Sequence, residues 1–144
     1  MNKSKRLEIF EILEVFAKTK SKADKIALLR YYNIMALRDV LQGTFDPAIQ
    51  WNLPEGKPPY VENDNHNAPS TLLRQHRFFK YFVKGVNESE KLTRVKREKM
   101  FIELLEAVHP EDSKIILAMV SKKSPVKGLT LKIVTEALPD LISK

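Results

Sequence analysis

The sequence predicts an all-α protein of six to eight helices without a sheet. Apolar residues recur at three- and four-residue spacing along most of the chain, which is the spacing of one helix face. Only 4 of the 144 residues are glycine, a content that suits helices better than a turn-rich β fold. No stretch of five or more residues alternates as a strand rich in Val, Ile and Thr would. At this length, residues 1–144 are expected to form a single helical domain.

Three helices are predicted in the first third of the chain, over residues 4–19, 21–32 and roughly 34–42. The first has a wide apolar face, and Ser21 can cap the second with its side-chain oxygen. Gly43 is expected to end the third helix in the left-handed conformation that glycine adopts without strain.

A short helical turn is expected at Asp46 and Pro47, with the aspartate as cap and the proline at the first helical position. Trp51 follows this turn. We interpret it as a residue that fills the core or covers a helix end, with stacking on a nucleic-acid base as the alternative.

The proline- and asparagine-rich segment of residues 54–69 is predicted to be an exposed loop. Four of its residues are proline, so it cannot propagate a helix. Tyr60 and Val61 are expected to hold the loop against the body of the protein. His66 has no second histidine or cysteine at metal-ligand spacing, so we interpret it as a solvated side chain.

Residues 70–84 are predicted to form one helix with an aromatic side and a cationic side. At 100° per residue the aromatic residues Phe78, Phe79 and Phe82 fall opposite the cations. The cationic stripe consists of Arg74, Arg77, Lys80 and Lys84. It is either a solvated surface or a set of phosphate contacts. His76 lies at the boundary between the two sides, with no evident partner.

The longest helix is predicted over residues 87–108. Its apolar face includes Val95, and the cations around Arg97 spread over too wide an arc to face one ligand, so most of them are expected to be solvated. His109 precedes Pro110 and is therefore expected to end the helix.

The C-terminal stretch, Pro110 to Lys144, is predicted to form a helix, a lysine-rich loop and a second short helix. Asp112 or Ser113 can cap the first of these helices. The loop contains Lys122, Lys123, Lys127 and Gly128.

Thr130 can cap the second short helix, Leu129 and Val134 are placed as a hydrophobic staple, and Pro139 ends it. A helix start that follows a loop of lysines and a glycine is a plausible seat for a phosphate, because free N–H groups and the helix dipole both favour an anion there. Lys132 lies in the first turn of this helix.

The run VSKKSPVKGLTLKIVTEALPDLI resembles the end of the N-terminal all-helical DNA-binding domain of ATP-dependent DNA ligases, especially the phage type. The matching positions are Lys127, Gly128, Leu129, Val134, Pro139, Leu141 and Ile142. Earlier in the chain, LEIFEILEVFAKTKSKADKIALLRYY and LRDVLQGTFDPAIQWNL are similar to the opening helices of that domain and its Asp-Pro break. The resemblance implies a helical fold that grips DNA, and a phage source.

The chain lacks the Lys-x-Asp-Gly motif that carries the nucleotidyl-transfer lysine of those ligases. The resemblance therefore implies the DNA-binding part without the enzyme. No other catalytic, cofactor or metal motif is present in the sequence, so neither enzymatic activity nor a cofactor is expected.

The formal net charge of +7 points to polyanionic partners, either nucleic acid or an acidic protein surface. No apolar run is long enough for a membrane span, the N-terminus lacks the apolar centre of a signal peptide, and there are no cysteines. We therefore expect a cytoplasmic protein, in the host cytoplasm if the source is a phage, that does not act in a membrane.

Two functions follow from these patterns. The first is non-catalytic binding of double-stranded DNA, with RNA as an alternative ligand, through the phosphate backbone. The predicted contacts are Lys122, Lys123, Lys127, Gly128, Thr130, Lys132, Arg74, Arg77 and Lys80. The alternative is a protein-interaction or virion component that has a ligase-like fold but does not bind DNA. Its contact surface would include the loop from Pro58 to Asn67 and the helix over residues 70–84.

Overall fold

The computed structural model describes residues 7–64 and 66–143 and confirms the all-α prediction. Within these residues there is no strand, and a single isolated bridge joins Trp51 and Val83. In chain order the helices are α1 (Ile9–Lys18), α2 (Lys22–Tyr31), α3 (Met35–Phe45), α4 (Leu72–Gln75), a 3₁₀ helix (His76–Phe82), α5 (Asn87–Glu90), α6 (Arg94–Ala107), α7 (Pro110–Val120) and α8 (Leu131–Ala137). The first three residues of the predicted helix over 4–19 lie outside the described residues.

The core is built around α3 and α7, which pack against each other. The 3₁₀ helix also packs on α3, α1 packs on α7, and α8 packs on α2. The central helices contribute fully buried apolar side chains, which are Leu37, Val40, Leu41, Ile116 and Met119. Burial of an apolar side chain stabilises a fold by roughly 1.5–3 kcal/mol, so this contact makes a large contribution to holding the two halves of the chain together.

The prediction that Gly43 ends α3 is wrong, because the helix continues to Phe45. A Cβ atom on Gly43 would lie 2.6 Å from Cζ2 of Trp51 and 2.7 Å from Sδ of Met119. The glycine is therefore required by close packing and not by a left-handed backbone. The predicted helical turn at Asp46 and Pro47 is a simple turn, in which the Asp46 carboxylate accepts a hydrogen bond from the Ala48 N–H at 2.9 Å.

The predicted regular helix over residues 70–84 is replaced by one turn of α-helix and a 3₁₀ helix. The 3₁₀ helix has three residues per turn, so residues three apart point the same way. Phe79 and Phe82 are buried by this spacing. The segment ends where the bridge begins, since Asn52 N–H donates to the Phe82 carbonyl at 2.6 Å and Lys84 N–H donates to the Gln50 carbonyl at 2.8 Å.

The predicted long helix over residues 87–108 is broken into α5 and α6. Thr93 starts the second piece, because its hydroxyl accepts a hydrogen bond from Lys96 N–H at 3.1 Å. Within α6 the buried face carries Arg97, Phe101, Leu104 and Leu105, and Val95 lies off that face. Val95 is therefore 77% exposed instead of buried, whereas Arg97, one of a group of cations most of which were predicted to be solvated, is only 8% exposed.

Helix α7 starts one turn earlier than either predicted cap residue. His109 is its cap, with Nδ1 accepting from Glu111 N–H at 3.0 Å, and Pro110 is the first helical residue. Asp112 and Ser113 are buried inside the first turn. Asp112 instead reaches a different helix, where its Oδ2 accepts a hydrogen bond from the Leu72 N–H at 3.2 Å.

The segment over residues 54–69 has no regular structure in its described part, and most of its residues are exposed. Tyr60 holds it to the body as expected, with its hydroxyl 3.2 Å from Ser113 Oγ. Val61 is 77% exposed and only its N–H is held, by Glu106. Asn63 adds an anchor that the sequence did not indicate, because its amide donates to the Glu106 and Val108 carbonyls at 2.6 and 2.8 Å.

Candidate nucleic-acid interface

The basic loop begins with Lys122 in a left-handed conformation, with φ of 58°. Lys122 N–H donates to the Met119 carbonyl and Lys123 N–H donates to the Ala118 carbonyl, both at 2.9 Å. These two bonds form a Schellman motif, which normally places a glycine at the left-handed position. A lysine at this position is less favourable than a glycine by roughly 1–2 kcal/mol, because its Cβ crowds the backbone.

The Lys122 ammonium lies among three backbone carbonyls near the end of α3. Nζ donates to the oxygens of Gly43, Asp46 and Ile49 at 2.8, 2.8 and 2.9 Å. Burial lowers the pKa of Lys122, and the negative charge of Asp46 partly opposes that change. All three N–H donors of Lys122, which was predicted from the sequence to be a nucleic-acid contact, are therefore used within the protein, at the end of α3 and the turn after it.

Three other cations of the predicted interface are exposed. Lys123, Lys127 and Lys132 make no side-chain hydrogen bond or salt bridge with any described residue. Thr130 caps α8 as predicted, with its hydroxyl accepting from Ile133 N–H at 3.3 Å. The staple residues Leu129 and Val134 are both buried, and they fix the angle at which the basic loop enters α8.

Gly128 has a positive φ of 86° and lies against a lysine that the sequence did not place in the site. A Cβ atom on Gly128 would lie 2.7 Å from Nζ of Lys25, which comes from α2. The Lys25 ammonium is also 5.7 Å from the centre of the Phe16 ring. The packing of α2 on α8 thus brings a further cation next to Lys127. No local pattern could indicate this, because the two segments are about one hundred residues apart in sequence.

The cations of the 70–84 segment are exposed, but two of them have partners. Lys80 Nζ lies 3.8 Å from Glu88 Oε2, and the Arg77 guanidinium is 5.4 Å from the centre of the Phe78 ring. Arg74 has no side-chain partner among the described residues. His76, for which the sequence indicated no partner, has its Nδ1 2.5 Å from Asp39 Oδ2 of α3.

A groove joins the end of this stripe to the start of the basic loop. Lys84, Lys122 and Lys123 all line it, and its volume is about 580 Å³. Trp51 also lines the groove but is itself buried, and its indole N–H donates to the Gly43 carbonyl at 3.0 Å. Trp51 therefore fills the core and covers the end of α3, which is the predicted role.

Three further observations concern metal ions and membranes. No group of three or more His, Cys, Asp or Glu side chains there is arranged to hold a metal ion. His66 is exposed on its loop. None of the described helices has the length and apolar character required to cross a bilayer.

The chain matches a family of unknown function (DUF6433) over residues 12–124, which is more than three quarters of its length. The matched region includes Lys84, Lys122 and Lys123, and it ends before Lys127 and α8. No curated protein matches the chain. The extent of the family match shows that this protein belongs to the family of unknown function DUF6433.

Proposed function

We propose that this protein binds the phosphate backbone of double-stranded nucleic acid, chiefly DNA, without catalysing a reaction on it. The observation that carries the proposal is the group of unpaired lysines around the start of α8. Lys123, Lys127 and Lys132 project without partners among the described residues, and Lys25 adds a fourth ammonium beside Gly128. A duplex presents a dense row of phosphates, which is the ligand that such a surface favours.

Two further observations support this function. The net charge of +7 attracts polyanions over the whole surface. The resemblance of residues 120–142 to the DNA-binding domain of phage-type ATP-dependent DNA ligases assigns the same loop to DNA, and it favours a phage protein that acts in the host cytoplasm. Binding through lysines and backbone N–H groups would be largely independent of base sequence, because these groups contact phosphates instead of base edges.

The test is the salt dependence of binding to a random-sequence duplex, measured by fluorescence anisotropy. A plot of log affinity against log salt concentration should fall with a slope near −0.9 for each phosphate neutralised. Changing Lys123, Lys127 and Lys132 together to alanine should flatten that slope by about two to three. Lys122 is left intact, because its ammonium closes α3 and its removal would disturb the fold.

The matched control removes the same charge elsewhere, by changing Arg74, Arg77 and Lys80 together to alanine. A smaller effect of this control places the site at the basic loop. An equal effect of the two triple variants would mean that only net charge matters and that the loop is not a site. Absence of binding to duplex DNA and to RNA at low salt would refute the proposed function.

In that last case the second candidate function, a protein-interaction or virion component, would take its place. It is favoured by apolar groups exposed where a partner could reach them. Val61 is 77% exposed on the loop, and Phe78 and Tyr81 form a stacked pair on the half-buried side of the 3₁₀ helix.

A further inference from the structure

We propose that a second groove, at the start of α6, binds the phosphate group of a phosphomonoester. Lys84, Arg94 and Arg97 line this groove together with Asn52 and Glu98, and its volume is about 270 Å³. Lys84 lines both this groove and the groove at the basic loop, but Lys123, Lys127 and Lys132 do not line this one. The proposal therefore goes beyond the duplex-binding function and does not depend on it.

The main observation is the state of the Arg97 guanidinium. The residue is only 8% exposed and makes no salt bridge with a described residue. Its Nη2 donates to the Ser89 and Leu92 carbonyls at 3.1 and 2.9 Å, which orients the side chain. Its buried Nε has no hydrogen-bond acceptor in the described part of the chain.

A buried positive charge without a counter-ion is unfavourable, because the two carbonyls that orient Arg97 supply only partial negative charge. An anion in the groove would provide the missing charge. Both N–H groups of Nη2 are used by the two carbonyls, so the N–H groups of Nη1 are the donors that Arg97 would offer to a phosphate oxygen.

Two exposed cations can complete the site. The Lys84 ammonium has no partner among the described residues, and its backbone N–H is fixed at the bridge next to Trp51. Arg94 is bonded to Glu98, with Nε 2.8 Å from Oε2, and its side chain is 79% exposed. The site therefore combines one fixed guanidinium with two adaptable cations. Glu98 is its unfavourable member, because its negative charge would repel the ligand.

The dimensions and charges of the groove favour a terminal phosphate. At about 270 Å³ the groove is smaller than the sites that enclose whole drug-sized ligands. A phosphomonoester carries up to two negative charges at neutral pH, which three cations can balance. The same group occurs at the 5′ end of a nucleic-acid strand and on a free nucleotide, so these two sources must be separated by experiment.

The test is a titration of the 144-residue chain that is monitored through its arginine Nε–H signals by two-dimensional ¹H–¹⁵N NMR. Inorganic phosphate at millimolar concentration should shift the Arg97 Nε–H signal in a saturable way. Lys84→Ala and Arg94→Ala should each weaken the apparent affinity several-fold. Glu98→Gln should strengthen the apparent affinity for phosphate. If Lys84, Arg94 and Glu98 acted only on stability, these opposite effects on affinity would not be expected.

Arg97→Gln should abolish the saturable response, but this variant loses two structural hydrogen bonds and could unfold. The exposed positions Lys84, Arg94 and Glu98 therefore decide the outcome. The triple change of Lys123, Lys127 and Lys132 to alanine is the matched control and should leave the phosphate titration unchanged.

A nucleoside monophosphate and a 5′-phosphorylated single strand, each compared with its unphosphorylated form, identify the source of the phosphate. Tighter binding of the strand assigns the site to nucleic-acid ends, and tighter binding of the monophosphate assigns it to free nucleotides. If no ligand gives a saturable shift of the Arg97 signal, or if Lys84→Ala and Arg94→Ala leave the affinity unchanged, the proposal is wrong. Duplexes with hydroxyl ends test the proposed function separately.

Discussion

Asp112 is the residue whose ionisation is most strongly coupled to the fold. Its carboxyl group is fully buried between α7 and the start of α4, and its Oδ1 has no hydrogen-bond partner among the described residues. Burial raises the pKa of Asp112 to about 7, against the lowering effect of the hydrogen bond from Leu72 N–H. The negative charges of Glu8, Glu11 and Glu111 add to the increase.

The Asp112 carboxyl group should make the protein less stable as the pH rises from about 4 to about 7. Over this range the folded state retains the proton while the unfolded state, with a pKa near 3.8, loses it. Replacement of Asp112 by asparagine removes this contribution to the pH dependence of stability. The difference in the free energy of unfolding between Asp112→Asn and the wild type should therefore shift by about 3 kcal/mol in favour of the variant between pH 5 and pH 8.

Urea unfolding at the two pH values provides the measurement. The control is Asp140→Asn, because Asp140 is exposed and has no side-chain partner among the described residues. The difference in the free energy of unfolding between Asp140→Asn and the wild type should be the same at both pH values. A constant difference for Asp112→Asn would show that this carboxyl group is ionised in the folded protein throughout that range.

Lys122 shows how one residue can serve two structural roles at once. A non-glycine residue in the left-handed region is unfavourable by roughly 1–2 kcal/mol. The ammonium offsets that strain, because it donates to the carbonyls of Gly43, Asp46 and Ile49, and the Ile49 carbonyl has no other donor among the described residues. For this reason the proposed duplex contacts are Lys123, Lys127 and Lys132, and Lys122 is not one of them.

At the scale of elements, the contact between α3 and α7 depends on the close approach that Gly43 allows. The Trp51 ring and the Met119 side chain both occupy the space where a Cβ atom would lie. The Trp51 ring is also held edge-on to Phe79 of the 3₁₀ helix, with ring centres 6.1 Å apart. One small residue therefore determines how three elements meet.

Gly43→Ala should destabilise the protein by about 1–3 kcal/mol through overpacking, despite alanine's higher helix propensity. Chemical denaturation, monitored by circular dichroism, measures this change in the free energy of unfolding. Met35→Ala, at an exposed position in the same helix, should change stability by less than about 0.5 kcal/mol. Stabilisation by Gly43→Ala would show that Trp51 and Met119 move aside without loss of packing.

At the scale of the whole molecule, the C-terminal segment completes the fold although it lies beyond the region of the family match. Arg30 of α2 donates to the Glu136 and Ala137 carbonyls at 3.0 and 3.1 Å. Ser143 donates twice to the Asp46 carboxylate, at 3.0 and 2.9 Å. Burial would raise the pKa of Asp46, but these bonds, the one from Ala48 N–H and the charge of Lys122 together lower it.

Removal of residues 130–144 should therefore abolish cooperative unfolding. The deleted segment contains four buried apolar residues, which are Val134, Ala137, Leu138 and Leu141. Differential scanning calorimetry should show no sharp transition for the chain that ends at Leu129. A chain that ends at Ile142 retains all four and should unfold cooperatively, at a lower temperature because Asp46 loses the hydrogen bonds from Ser143. An unchanged melting temperature for the shorter chain would show that α8 is not part of the core.

Features that depend on neighbouring residues were predictable from the sequence. Thr130 caps α8, Leu129 and Val134 are both buried, and α8 ends before Pro139, as predicted. A cap or a staple joins residues within about one helical turn of each other, so the local pattern contains the necessary information. The break at Thr93 was missed because the local apolar spacing continues through it.

The all-α class and the basic character of this protein could be predicted from the sequence alone, because helix periodicity is local and net charge is a sum over residues. Which of its cations have partners within the protein depends on the packing of distant segments. Lys122 and Lys123 are neighbours with the same side chain. The Lys122 ammonium nevertheless donates to a carbonyl about eighty residues earlier in the chain, whereas the Lys123 ammonium has no partner among the described residues. The Arg97 side chain is likewise oriented by hydrogen bonds to the Ser89 and Leu92 carbonyls, which lie before the start of α6. The availability of a charge depends on which distant backbone groups the fold brings to it, and no local pattern encodes that arrangement.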